Sequence, residues 1–245
     1  MQANLLLTVN QFWTCTRFPR LLKLFQCSPG STAQGSHLLS TPSSPHHPFI
    51  VNSLEQRGWA VCPFYLDLQE GKLLSEESQT AWDAGAFRRA GVGRGTDLQV
   101  SEEVRRDHVM WLQNGETTAA QRAYLMLLES LRLAINQQLF LGLFDFEGHF
   151  AVYPEGGFYK AHLDRHRESG DRIVSVILYL NADWKPGDGG ELKLWTKPAD
   201  KDGAFELVEP RLGTLVCFMA GDHWHEVLPA CKTRRSITGW FRIRS

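Results

Sequence analysis

The chain has 245 residues with a formal net charge of −1, and 43% of them are hydrophobic. That is enough apolar material for one sizeable core, and the near-neutral balance gives no electrostatic case for nucleic acid as a partner. The five cysteines, Cys15, Cys27, Cys62, Cys217 and Cys231, are odd in number and lack zinc-ligand spacing, which argues against a disulfide framework or zinc module and fits reduced thiols in a cytoplasm.

Residues 1–47 carry Arg17, Arg20 and Lys23 but no acidic residue, then run through SPGSTAQGSHLLSTPSSPHH. A stretch so rich in Ser, Pro and His cannot build a packed core, so a disordered or poorly ordered extension is expected. Its basic start allows an organelle-targeting segment, with a plain tail or a mis-set start as the alternatives. Its apolar runs are too short to span a membrane.

Residues 48–245 have the pattern of one domain. A short helix is predicted around 52–57, an alternating strand in GWAVCPFYL, and a second helix over roughly 70–86, followed by the Gly- and Arg-rich loop AGVGRG. Between 118 and 141, Tyr124, Leu128, Leu131 and Ile135 recur at helical spacing, so this helix should lay one face on a sheet. Strands then dominate: FDFEGHFAVY, RIVSVILYL, ELKLW, FELVE, GTLVCFM, HEVLP and SITGWFRI, separated by Gly, Pro, Asp and Asn turns. Gly189 and Gly190 make one such turn. The expected fold is mainly β with packed helices (α+β): a double-stranded β-helix, or jelly roll, over about 145–245 with supporting N-terminal helices.

Within YPEGGFYKAHLD, His162 and Asp164 lie two residues apart. In an extended segment both point to one face with Cα atoms roughly 6 to 7 Å apart, close enough to share a cation. A second histidine would complete the two-His, one-carboxylate set of a non-haem Fe(II) centre. His225 in GDHWHEVLPA is the natural candidate, with His223 the rival two residues before it. In TRRSITGWF, Arg234, Ser236, Thr238 and Trp240 share one strand face and Arg235 takes the other. An arginine fixed near a metal suits the far carboxylate of a dicarboxylate, because its planar fork makes two charge-assisted hydrogen bonds. His149 and His166 read as a strand-face and a loop residue, and Trp184, Trp195 and Trp240 as packing or rim residues.

These phrases, together with RIVSVILYLN, GDGGELKLW and EPRLGTLVCF, resemble the catalytic core of prolyl 4-hydroxylase-type, 2-oxoglutarate- and Fe(II)-dependent oxygenases from Tyr153 onward. HEVLPACKTRRSITGWF is especially similar to the hypoxia-factor prolyl hydroxylases. AGVGRG, VRRDHVMWL and RLAINQQLFLGLFDFEGHFAVYP extend the resemblance, toward bacterial prolyl hydroxylases acting on elongation factor Tu, over nearly all of 48–245. The bacterial character of the domain favours a tail or mis-set start over a targeting segment.

The resemblance implies that His162, Asp164 and His225 ligate Fe(II) and that Arg234 holds the C5 carboxylate of 2-oxoglutarate. Tyr179 would serve the same carboxylate through its hydroxyl, Thr238 would add a supporting hydrogen bond, and Tyr153 would border iron and oxoglutarate. The segment from Tyr153 to His162 is one residue shorter than in the animal enzymes, which touches the placement of Tyr153. Asp107 matches an acidic residue beside a mobile substrate-covering loop, to which Arg94 is assigned; a surface salt bridge with Arg105 or Arg106 is the competing reading. The implied enzyme hydroxylates a proline in a protein or peptide, with elongation factor Tu the candidate partner. It would use O2, release succinate and CO2, and be supported by L-ascorbate. Two alternatives remain: the same chemistry on a free amino acid or other small molecule, and a non-catalytic metal-binding jelly-roll sensor. A monomer is expected, with no nucleic acid and no membrane as partner.

Overall fold

The computed structural model describes residues 44–91, 99–112, 117–165 and 170–244. Three helices precede the jelly roll. Helix α1 (His47–Arg57) carries Pro48 in its first turn and stops at Gly58, a left-handed residue with φ of 78° whose N–H closes on Leu54. Proline is tolerated at that end because the first N–H groups of a helix have no internal partner. The helix starts upstream of the expected 52–57, and the expected domain boundary at Pro48 falls inside it: His47 is buried, its ring 3.2 Å from the Tyr65 hydroxyl. Helix α2 (Leu68–Asp83) is capped by Asp67, which accepts from the Glu70 N–H at 2.8 Å. Helix α3 (Ala119–Leu139) is capped in the same way by Thr118 and ends at the left-handed Phe140.

The strands are β1 (Trp59–Cys62), β2 (Arg88–Arg89), β3 (His108–Trp111), β4 (Asp145–Tyr153), β5 (Tyr159–His162), β6 (Arg172–Tyr179), β7 (Leu192–Trp195), β8 (Phe205–Val208), β9 (Leu215–Met219), β10 (His225–Val227) and β11 (Arg234–Arg242). They form a seven-stranded sheet in the order β1-β9-β6-β11-β4-β3-β2 and a four-stranded sheet in the order β5-β10-β7-β8, antiparallel throughout. This is the expected double-stranded β-helix. Strands β2 and β3 have no counterpart in the sequence reading. They are short, and β3 is held by pairing with the distant β4.

Alternation of side chains sorts the large sheet into two faces. Val174, Val176 and Leu178 of β6, with Phe150, Ile237 and Phe241, pack under Tyr124, Leu128, Leu131 and Ile135 of α3 and under Ile50, Val51 and Leu54 of α1. The opposite face meets the small sheet in a second cluster that includes Ala151, Tyr153, Ile177, Tyr179, Leu192, Leu194, Phe218 and Val227. A continuous apolar run such as β6 is thus required, because both its faces are covered. Among the described residues Cys62, Cys217 and Cys231 are free thiols, and no helix is long and apolar enough to cross a membrane.

The helix-side core is the part that stability should depend on most. Leu131 is fully buried there, so Leu131→Ala should destabilise the fold by about 2–5 kcal/mol through lost transfer energy and an unfilled cavity. The midpoint of urea unfolding measures this; a shift below 1 kcal/mol would mean that α3 is not seated as described.

Candidate active site

The strand register fixes where each functional side chain stands. On the inner face of the large sheet, Arg234 of β11 lies opposite Tyr153 of β4. The next row is Ala151, Ser236 and Tyr179, the third His149, Thr238 and Ile177, and the fourth Glu147, Trp240 and Ser175. Successive rows are two residues, or roughly 6.6 Å, apart. In the small sheet His225 pairs directly with His162 across β10 and β5, so a pair of residues some sixty positions apart in sequence becomes adjacent. Asp164 follows just beyond β5 and is tied to the large sheet, accepting a 2.7 Å hydrogen bond from the Ser175 hydroxyl.

His162, Asp164 and His225 each offer one ligand atom, all within 4.8 Å of one another. The Nε2 atoms of both histidines lie 3.5 Å from Asp164, one from each carboxylate oxygen. Each Nδ1 faces a backbone carbonyl, that of Lys160 at 2.8 Å for His162 and that of His223 at 3.2 Å for His225. Those contacts place the ring proton on Nδ1 and leave the Nε2 lone pairs for a cation, the usual arrangement around a ligating histidine. Burial pushes His225 down to about 4, so it is neutral at physiological pH. Burial also opposes ionisation of Asp164, but His225, His162 and the Ser175 hydroxyl hold its carboxyl well below the usual carboxylate range. Two imidazoles and one carboxylate form the donor set that suits Fe(II). His223 points elsewhere: it is buried against Gly58 with Nδ1 2.9 Å from the Trp195 carbonyl, and a Cβ at position 58 would sit 2.5 Å from its Nε2.

The cluster opens into a cavity of about 510 Å³, whose lining includes Arg234, Thr238, Tyr153, His149 and Trp240. Its floor is where the lining is most buried, at Arg234 and Leu192, and its mouth is where the lining is exposed, at Arg88, Arg89 and Lys160. Arg234 is 1% exposed. Its Nε donates to the Gly190 carbonyl at 2.9 Å, and the guanidinium lies 4.9 Å from the Tyr153 ring and 5.0 Å from the Tyr179 ring. Among the described residues no acid pairs with it; its Nη2 and the buried Tyr179 hydroxyl both lack a hydrogen-bond partner. Burial raises the Tyr179 hydroxyl to about 12, an effect the neighbouring Arg234 partly opposes, so it is a donor at neutral pH. A sealed cation and a sealed O–H side by side are complementary to one carboxylate. Gly190 makes the approach possible: at φ of 66° it turns the chain, and a Cβ there would press on Arg234 Cδ at 3.1 Å.

Six of the seven metal and oxoglutarate residues named from sequence, Thr238 among them, line one cavity, while Tyr179 sits behind its floor beside Arg234. Thr238 contributes its hydroxyl, 3.4 Å from that of Ser236. Asp107 makes a two-pronged ion pair with Arg105, not Arg106, at 2.7 and 2.6 Å; the pair is buried and not the surface salt bridge expected, because Asp107 immediately precedes β3, which pairs inside the large sheet. Arg94 and His166 lie outside the described residues. The sequence reading put Trp240 on this face as a packing or rim residue but passed over the wall it builds with Trp111, His149 and Arg172, whose guanidinium lies 3.4 Å over Trp240 and is bonded to Glu147. Counting back from Tyr153 in steps of two would have placed His149 on this face.

A sequence profile of the 2OG-Fe(II) oxygenase superfamily matches residues 148–242. A crystal structure of a Pseudomonas putida prolyl-4-hydroxylase aligns with 41% identity and a TM-score of 0.72, covering 81% of this chain and 100% of that one. The chain belongs to the prolyl-hydroxylase type of 2OG-Fe(II) oxygenases. The oxygenase is also 30% identical to human Egl nine homolog 1 over 79% of its own length and 46% of the relative's, so it spans about half of that curated relative. A Trichoplax adhaerens prolyl hydroxylase, solved with a hypoxia inducible factor peptide fragment, shares the fold at 24% identity and a TM-score of 0.68, over 80% of this chain and 88% of that one. Dependence on Fe(II) and 2-oxoglutarate follows from the family, and the donor set and the unpaired Arg234 fit both groups.

Burial pushes His149, like His225, down to about 4. An unfolded histidine titrates near 6.5, so between about pH 6.5 and 4 the unfolded chain binds more protons and stability rises with pH. The metal-free oxygenase should therefore hold its full stability above about pH 6.5 and lose it progressively toward pH 4. Thermal melts with a chelator present test this; equal melting temperatures at pH 7 and pH 5 would show that these rings are not buried neutral.

Proposed function

We propose that His162, Asp164 and His225 hold the iron, that Arg234 and Tyr179 bind the C5 carboxylate of 2-oxoglutarate, and that the enzyme hydroxylates a proline in a protein substrate, with elongation factor Tu the candidate. The observation that carries the cofactor part is Arg234: a buried guanidinium with no acid beside it among the described residues, at the floor of the cavity that holds the ligand cluster. A charge left buried and unpaired costs several kcal/mol, and an incoming carboxylate removes that cost. What supports the substrate part is that similar proteins are prolyl hydroxylases.

Iron with oxoglutarate supplies oxygen activation when bound: O2, oxoglutarate and the substrate C–H give succinate, CO2 and the substrate C–OH. The protein's share is placement. Arg234 and Tyr179 fix the far end of oxoglutarate, the Nδ1 contacts of His162 and His225 fix the ligand tautomers, and Ser175 fixes the Asp164 carboxylate. Leu192, Ile177 and Val227 give the same cavity apolar lining that helps to exclude water. L-ascorbate would serve to return iron to the ferrous state. The reduced thiols fit a cytoplasmic location.

Mass spectrometry of elongation factor Tu after incubation with the enzyme, Fe(II), 2-oxoglutarate, ascorbate and air should show a gain of one oxygen on a proline, absent with Asp164→Ala. Oxoglutarate consumption without that gain would move the reading to another substrate, free proline being the first to try. Arg234→Ala should raise the KM for oxoglutarate by at least about 30-fold, the lower end of the roughly 2–5 kcal/mol at stake when one partner of a buried charge pair is removed. An unchanged KM would place the anchor elsewhere.

A further inference from the structure

We propose that His149 binds the substrate, its Nε2–H donating a hydrogen bond to a backbone carbonyl that flanks the target proline. The inference rests on the prolyl-peptide reading above and adds a recognition group to it. His149 stands in the third row of the inner face, four residues and so roughly 13 Å along β4 from Tyr153 and the oxoglutarate anchor. It lines the chamber between that floor and the exposed mouth, where a substrate must pass. Its ring is held edge-on by Trp111 at 4.8 Å and flanked by Trp240 at 5.6 Å.

The two ring nitrogens have different fates. Nδ1 is sealed from solvent with no hydrogen-bond partner, whereas Nε2 is not among the atoms that are both sealed and unpartnered. Orphaned buried N–H groups are rarer than orphaned acceptors, so the sealed nitrogen is the lone-pair one and the proton sits on Nε2. Burial keeps the ring neutral at physiological pH, which leaves one N–H on a ring that lines the chamber. Oxoglutarate does not need it: its far carboxylate has Arg234 and Tyr179, and its near end has the ligand cluster. Proline does. A prolyl residue has no backbone N–H and offers only carbonyl acceptors, so a site that recognises it through its backbone must supply a donor. The rings of Trp111 and Trp240 on either side suit the apolar ring of the same residue.

The test compares His149→Met, which keeps the volume and removes the donor, with His149→Gln, whose amide places an N–H near the position of Nε2. Both are assayed on a prolyl peptide from elongation factor Tu, with melting temperature recorded for each. The Met variant should raise the peptide KM by about tenfold, the loss of one hydrogen bond. Its KM for oxoglutarate should stay within about twofold of wild type, and the Gln variant should recover most of the peptide affinity. An unchanged peptide KM in a folded Met variant overturns the proposal, as does a rise in the oxoglutarate KM instead. Should the Met variant unfold, wild-type enzyme with peptides carrying a thioamide at each carbonyl flanking proline in turn provides the measurement; one of them should bind several-fold more weakly, and equal binding of both overturns the role. Absence of any peptide hydroxylation by the wild type overturns the prolyl reading along with it, which separates the two failures.

Discussion

A guanidinium held out of water, with no counter-charge among the described residues, is the constraint around which this fold is arranged. Arginine does not escape burial by losing its proton, so the surroundings of Arg234 must lower the cost of the charge before any ligand arrives. They do so in three ways: the Gly190 carbonyl accepts from Nε, the rings of Tyr153 and Tyr179 offer their π faces about 5 Å away, and the missing side chain of Gly190 lets the stem lie flat. None of them satisfies Nη2. The compensation is thus deliberately incomplete, and an anion with a planar, two-oxygen end is what finishes it. The same reasoning explains why the anchor lies at the floor: at the mouth, water would compete for the guanidinium and the selectivity for a carboxylate would fade.

The period of two along a strand turns that anchor into a ruler. Arg234, Ser236, Thr238 and Trp240 climb β11 in equal steps, while Tyr153, Ala151, His149 and Glu147 mirror them on β4. The intervening residues of the same strands face α1 and α3 and carry the apolar packing. Stability and chemistry are therefore drawn from opposite faces of one sheet, and polar groups can occupy the inner face because the outer face supplies much of the burial. A one-residue slip of β11 against β4 would exchange the two sets and ruin both at once, so the register is strongly specified.

How much of this could be read from sequence depended on the range of the interaction that decides each feature. His162 and Asp164 were legible because a two-residue spacing needs only an extended backbone, and α3 was legible because Tyr124, Leu128, Leu131 and Ile135 repeat within it. The start of α1 was missed because it is set by His47 reaching Tyr65 across the chain and not by its own pattern. Strand β3 was missed because four residues of mixed polarity signal nothing until β4 is beside them. The role of His149 was hidden for a related reason: a lone histidine on a strand is ordinary, and only the neighbouring Trp111 and Trp240 rings, from two other strands, show which way it looks and what seals it.

The two histidines of the ligand cluster are supported unequally, and the difference follows from topology. His225 sits on β10, inside the small sheet, sealed by neighbours that include Phe218 at 4.6 Å. His162 sits on β5, the edge strand of that sheet, and is the more open of the pair. An edge strand is free to fray and to pair with foreign chains, which a ligand position can ill tolerate. Here the segment before β3 covers the edge: the Arg106 N–H bonds to the Phe158 carbonyl and the Lys160 N–H to the Val104 carbonyl. From the same segment the Arg105 guanidinium lies 4.1 Å over Tyr159, whose ring stacks on His162 with centroids 3.6 Å apart. Asp107 clamps Arg105 through both carboxylate oxygens. The buried pair thus does for His162 from outside the sheet what β7 and β5 do for His225 from within it, and a motif far upstream of the ligands becomes part of what orients them.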